Sequence, residues 1–185
     1  MSFKDIVGNE QIKKILKLSL RENRLPGSLL FAGPPGVGKT ATALTVAKAL
    51  NCQQLKDEAC DRCHSCRLVD RGQHPNVRFI TREKNREQIV KDQVDEIKYL
   101  ARLRPWQGGR LVFIIDQAER MNETAANSLL KTLEEPGASV YFILITEDLS
   151  AILPTIRSRC QVLKFKRVSQ EDLELALEAR GLPPD

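Results

Sequence analysis

Eight consecutive residues, Gly33-Pro34-Pro35-Gly36-Val37-Gly38-Lys39-Thr40, constrain this chain more than any other segment. They match the pattern G-x-x-x-x-G-K-[ST] and stand where its physics requires, after the apolar run Leu29-Leu30-Phe31-Ala32 and before a helical stretch. That stretch runs from about Gly38 to Leu50, with Ala43, Val46, Ala47 and Leu50 on one face. Glycines let backbone N–H groups turn inward around phosphate oxygens, and the helix N-terminus adds partial positive charge. Lys39 is placed to neutralise terminal phosphates and the Thr40 hydroxyl to ligate magnesium. A Gly/Pro-rich surface turn shares the composition but has no need of a strand before it and a helix after it.

A phosphate loop of this kind works with an acidic residue at the end of a second buried strand, beside the metal's water shell. Leu111-Val112-Phe113-Ile114-Ile115 ends in Asp116, a carboxylate that is costly there unless a cation or donors meet it; the alternative is a strand-end turn residue. The next residue is Gln117, whose amide orients water but cannot take its proton near neutral pH. Glu119 reads as a surface charge, with substitution for a missing glutamate base as the other option.

The remaining pattern alternates strands and helices. Ile12, Ile15, Leu16, Ser19 and Leu20, with Lys13, Lys14 and Lys17 opposite, predict an amphipathic helix over 9–22. Val77-Arg78-Phe79-Ile80 and Val140–Thr146 read as strands. Asp92 is a candidate cap for a helix carrying Val94, Ile97, Leu100 and Ala101, while Ala126, Leu129, Leu130 and Leu133 define another that Pro136-Gly137 stops. A charged region and a short helix near 170–180, capped by Ser169, follow. This is an α/β chain with a parallel sheet covered by helices on both faces.

Four of the five cysteines, Cys52, Cys60, Cys63 and Cys66, are spaced C-x7-C-x2-C-x2-C. Without a signal peptide a disulfide framework is disfavoured. Four clustered thiols suit tetrahedral zinc, in a closed structural site that staples an insertion too small for its own core. Buried free cysteines or a redox C-x-x-C pair are the alternatives, and His64 reads as a loop residue among the turn formers Asp61, Arg62 and Ser65.

The loop Gly33–Thr40, the stretch Phe113–Arg120, Asn127-Ser128-Leu129-Leu130-Lys131-Thr132-Leu133-Glu134-Glu135-Pro136 and Ser158-Arg159-Cys160 together resemble the AAA+ clamp-loader subunits of bacterial DNA polymerase III. The resemblance covers nearly the whole chain and includes the cysteine insertion. Gly72-Gln73-His74-Pro75-Asn76-Val77 and Asp116-Gln117-Ala118-Glu119-Arg120-Met121 lean toward the delta-prime branch over gamma/tau. It implies a RecA-like P-loop AAA+ domain over 1–166, a zinc-binding insertion at about 52–68, and at 167–185 the beginning of a helical lid, truncated. It further implies ATP, magnesium and zinc as cofactors. The implied nucleotide-binding set is Gly33, Pro35, Gly36, Val37, Gly38, Lys39, Thr40 and Ala41, with Val7 of Ile6-Val7-Gly8 near the adenine. Arg159 resembles an arginine finger that reaches a neighbouring subunit's ATP, and Thr146 a polar sensor of the terminal phosphate; a structural ion pair and an ordinary strand-end hydroxyl are the alternatives. The implied partners are other clamp-loader subunits and, through the assembly, the sliding clamp and primed DNA. With Gln117 in place, ATP hydrolysis is expected to be weak or absent.

The 29 Lys+Arg against 24 Asp+Glu give a net charge of +5, which permits nucleic-acid contact without demanding it. No apolar run approaches the roughly 18 residues of a membrane span, so a cytoplasmic protein without membrane contact is expected. An active gamma/tau-type motor is the second reading. A small-molecule kinase lacks a visible acceptor site, and a zinc-centred nucleic-acid module would draw on Arg67, Arg71, Arg78, Arg82, Lys84 and Arg86.

Overall fold

Continuous apolar runs are what a strand needs when helices cover both of its faces, and three such runs form the middle of the sheet. A computed structural model describes residues 2–55, 57–83, 86–170, 173, 174 and 178. Its strands are β1 (Ser28–Ala32), β2 (Val77–Ile80), β3 (Leu111–Ile115), β4 (Val140–Thr146) and β5 (Gln161–Lys164), all parallel in the order β2-β3-β4-β1-β5. Every residue of β1, β3 and β4 is buried, whereas the edge strands β2 and β5 are partly exposed.

The helices are α1 (Glu10–Arg21), α2 (Lys39–Asn51), α3 (His64–Asp70), α4 (Lys91–Leu100), α5 (Glu123–Glu134) and α6 (Pro154–Arg157). Strand alternation sends Leu29, Phe31, Val112, Ile114, Tyr141, Ile143 and Ile145 to one face, where they pack with Ile12, Leu16 and Leu20 of α1 and Ala43, Val46 and Ala47 of α2. Leu30, Phe113, Ile115, Phe142 and Leu144 face the other way, onto Val94 and Ile97 of α4 and Leu129 and Leu133 of α5. Phe113 and Phe142 stack there at 5.3 Å between ring centres. Each buried aliphatic or aromatic side chain contributes about 1.5–3 kcal/mol, and truncating one such as Leu129 to Ala costs about 2–5 kcal/mol. The two-faced α/β layout expected from the pattern is therefore present.

Several local expectations are corrected. In α1, Ile15 is 45% exposed and Lys13 is buried, its Nζ donating to the Ile6 carbonyl at 2.6 Å; the helix turns its stripe toward Ile12, Leu16 and Leu20. The cap of α4 is Val90, not Asp92. Val90 N–H donates to Gln93 Oε1 at 3.2 Å, and Asp92 sits in the first turn, where the dipole favours its charge. The helix expected around Ala126–Leu133 is present as α5, and Asn122 caps it, its Oδ1 accepting from Ala125 N–H at 2.8 Å. His64 opens α3 rather than lying in a loop, and β5 lies within what reads as a charged region. The helix expected near 170–180 falls mostly on residues outside the described set.

Candidate functional site

The phosphate loop leaves β1 at its carboxyl end, where ligands of open α/β sheets gather. Gly33 N–H donates to the Thr146 carbonyl at 3.2 Å, tying the loop to the end of β4. A Cβ at Gly33 would lie 2.4 Å from the Phe165 carbonyl oxygen, so only glycine fits there. Gly38 takes the left-handed conformation (φ 89°) at the cap of α2, which aims the helix N-terminus into the loop. The loop opens on a cavity of about 310 Å³, lined by Pro35, Gly36, Gly38, Lys39, Thr40, Ala41, Asp116, Gln117, Glu119, Ile145, Thr146 and Glu147. Of the expected set, the structure brings these loop residues together with Asp116, Gln117 and Thr146. Gly33, Val37 and Val7 are not among the lining residues, although a Cβ at Gly38 would touch Ile6 at 3.2 Å.

Lys39 is buried, and its Nζ donates to the Gly33 and Pro34 carbonyls at 2.7 and 2.6 Å. Burial lowers its pKa, against the pull of Glu147, Asp116 and Glu119. Asp116 is anchored by its N–H to the Ile80 carbonyl, 2.8 Å away. Burial pushes its carboxyl above the ordinary range, and the charges of Glu119 and Glu147 add to the effect. After Asp116 the chain turns through Gln117 in a left-handed conformation (φ 52°) into a 3-10 turn, Ala118–Arg120. That turn brings Glu119, expected at the surface, to the cavity, where its Oε2 is buried without a hydrogen-bond partner. An orphaned carboxylate oxygen beside Asp116, and a helix N-terminus behind glycines, suit a divalent cation and a phosphate chain respectively.

The Thr146 hydroxyl is buried and engaged locally, donating to the Asp148 carbonyl at 2.9 Å and accepting from Asp148 N–H at 3.2 Å. Arg159 lies just after α6 and does not line the cavity. Its Nε donates to Glu134 Oε2 at 2.8 Å and its Nη1 to the Thr155 carbonyl at 3.0 Å. Burial pushes the thiol of Cys160 beside it up to about 12.

The Sγ atoms of Cys52, Cys60, Cys63 and Cys66 all lie within 4.8 Å of one another. A tetrahedral zinc with its usual Zn–S bond sets sulfurs ~3.8 Å apart, so the cluster fits such an ion. Backbone N–H groups of Leu55, Cys63 and Cys66 donate to Cys52, Cys60 and Cys63 Sγ at 3.3, 3.3 and 3.4 Å. Burial opposes ionisation of Cys60, yet the N–H groups of Arg62 and Cys63 bring its thiol down to about 6. Burial and the neighbouring Cys63 push the Cys66 thiol well up. A dication at their centre would hold all four as thiolates.

Two side-chain networks fix this knuckle to the sheet domain. Lys48 of α2, 1% exposed, bridges Asp61 and Asp70, the latter at 2.9 Å. His74 accepts from Asn76 N–H at Nδ1 (3.1 Å), which leaves Nε2 to donate to Ser65 Oγ (2.9 Å), and burial lowers its pKa. Asn76 in turn accepts from Trp106 N–H at 2.7 Å and donates to Asn51 Oδ1 at 3.3 Å.

Sequence reasoning missed Glu147 and Asn9 and misplaced Glu119. Glu147 had a legible signal, since it directly follows a buried strand at the ligand-binding edge. Asn9, left-handed at φ 53°, donates to the Val37 and Lys166 carbonyls at 3.4 and 3.2 Å, joining the N-terminal segment, the phosphate loop and the chain after β5. No local signal predicts a contact over that separation.

A family model described as "DNA polymerase III, delta subunit" matches residues 8–169. The DNA polymerase III subunit tau of Bacillus subtilis is 37% identical over 91% of this chain and 30% of its own length. The subunit delta' of the same organism is 33% identical over 94% of this chain and 52% of its own. The chain thus spans about half or less of the curated relatives it matches. Among solved structures, a DNA polymerase III gamma subunit-related protein of Thermotoga maritima superposes with a TM-score of 0.62 at 25% identity, over 91% of this chain and 49% of that one. The RuvB Holliday junction branch migration motor of the same organism gives 0.61 at 20% identity, over 95% and 51%, a likeness of fold alone. The fold is of the AAA+ type.

Proposed function

This chain belongs to the DNA polymerase III delta subunit family, and from that premise we propose that it is an ATP-binding clamp-loader subunit, acting with other subunits to place a sliding clamp on primed DNA. The observation that carries the reading is a complete phosphate loop opening on a cavity whose strand-end acid, Asp116, is followed by Gln117 rather than a carboxylate. The loop amides and Lys39 hold the phosphates, and Thr40 and Asp116 hold magnesium, which would offset phosphate charge. Gln117 orients a water without accepting its proton, so the subunit binds ATP and turns it over slowly. Zinc in the cysteine knuckle is structural.

Arg159 acts on a neighbour. Two of its five N–H donors are taken by Glu134 and Thr155, and the guanidinium, 30% exposed, keeps three for a phosphate supplied in trans. Arg159→Ala in the assembled complex should leave nucleotide binding by this subunit intact and cut complex hydrolysis by about a thousandfold or more, the scale of a missing arginine finger. Unchanged complex hydrolysis overturns this role.

The 37% identity to a tau subunit favours a second reading, a hydrolysing motor of gamma/tau type, which Gln117 opposes. Gln117→Glu separates the two. In a slow binder it should raise turnover by about a hundredfold, as a new general base does.

A further inference from the structure

This inference rests on the nucleotide reading above and deepens it. Among the described residues, Glu119 Oε2 is the buried side-chain oxygen with no hydrogen-bond partner. A carboxylate oxygen so placed loses its hydration without compensation, so it calls for a cation or a donor. Glu119 lines the same cavity as Lys39, Thr40, Asp116 and Glu147, and Lys39 feels the charges of Glu147, Asp116 and Glu119. Three formal negative charges against one positive leave −2 in a cavity shaped for a polyanion. A phosphate chain alone is repelled there, and a divalent cation reconciles the two.

We propose that Glu119 is the second acid of this site, its Oε2 accepting a hydrogen bond from the water shell of the divalent cation that accompanies the nucleotide phosphates. It supplies the charge that Gln117 lacks, reaching the cavity because the left-handed turn at Gln117 starts the 3-10 turn on which Glu119 sits. Glu119 is therefore a positioning residue for the cation and takes no proton in the reaction.

The test is titration of a fluorescent ATP analogue into the full-length protein and its Glu119→Gln variant, in excess EDTA and at stepped Mg²⁺ concentrations. The variant should need about tenfold more Mg²⁺ for half-maximal binding, the scale of one charge-assisted hydrogen bond. In EDTA it should bind the analogue as well as the parent protein or better, because one repelling charge is gone. A merely structural role for Glu119 shifts both arms the same way and overturns the proposal, as does an unchanged Mg²⁺ curve. Without metal or nucleotide, the variant should melt no lower than the parent. A lower midpoint means the carboxylate already has a partner, which also overturns it. Absence of binding by the unaltered protein in both arms sinks the nucleotide reading itself, and no variant is needed to see it.

Discussion

The phosphate loop and the cysteine knuckle sit at opposite ends of one helix, and they are built on opposite principles. Lys39 begins α2, and Cys52 is the residue that caps its end. The loop is mostly backbone, and the elements that flank it rest on a deep core of Phe31, Val46, Ile143 and Ile145, which supports its shape. Among the described residues, the knuckle's own cluster is Ala59, Cys63 and Cys66, with Cys52 and Cys60 packed against it. Little apolar surface is buried there, so beyond the Lys48 and His74 contacts a metal held by the four thiolates would supply much of the order. In the proposed reading, one site is held by the protein for its ligand, and the other would be held by its ligand for the protein.

The strongest way to break this contrast is Cys66→Ser. Metal analysis should show zinc falling from one per chain to none, and hydrogen exchange should show residues 52–70 losing protection, because zinc binding is worth about 10 kcal/mol or more to such a module. Nucleotide affinity should move by less than about threefold, and a collapse of nucleotide binding would refute the independence of the two ends. The converse change is Lys39→Ala. Losing a buried ammonium that neutralises phosphate should weaken ATP binding by about a hundredfold or more, while zinc content and melting temperature hold steady, since burial already works against that charge.

Lys48→Met probes the link between the two ends. Lys48 pairs Asp61 and Asp70 across the back of α2, and its loss should cost about 1–3 kcal/mol, less than a fully buried pair because both carboxylates reach solvent. Partial burial of Asp61 favours its neutral form, but the Lys48 ammonium draws its pKa below the usual carboxylate value. A depressed carboxylate contributes stability above its unfolded pKa of about 3.9 and loses it as pH falls through the lower folded value. Lys48 is raised and contributes below its unfolded value of about 10.4, losing that as pH rises past it. The stability gap between parent and variant should thus be flat from about pH 5 to pH 9 and close outside that window in denaturant melts. A gap that peaks sharply near neutrality would contradict the pairing. The smallest effect belongs to Gly36→Ala. At φ 77°, with nothing within 4 Å of the added Cβ, it should cost only backbone strain, about 1 kcal/mol.

The same contrast explains what could be read from the chain. Regular apolar runs such as Leu111–Ile115 announce buried strands, and the spacing of Gly33, Gly38, Lys39 and Thr40 announces the loop, because backbone-built features have local signatures. β5 has a weak signature because Gln161 and Lys164 at its two ends are exposed on an edge strand, so its apolar content falls to Val162 and Leu163. The place of Glu119 depends on a single left-handed residue, Gln117, which no hydrophobic period encodes. The cysteine spacing points to four thiols that the fold does gather, but α3 has no such signal, since a helix that begins at His64 among those cysteines has no apolar stripe long enough to read. Lys48, in the last turn of α2, carries no sequence signal that it clamps the knuckle.

If the proposed function holds, this chain binds ATP at a ready-made site and does not act as a motor on its own. Calorimetric ATP binding and phosphate release, measured side by side on the isolated full-length protein with Mg²⁺, address it most directly. Saturable binding, weakened about a hundredfold or more in Lys39→Ala, is expected beside turnover that is slow against motor-like rates. Release of phosphate at a steady motor-like rate without partner subunits would contradict it.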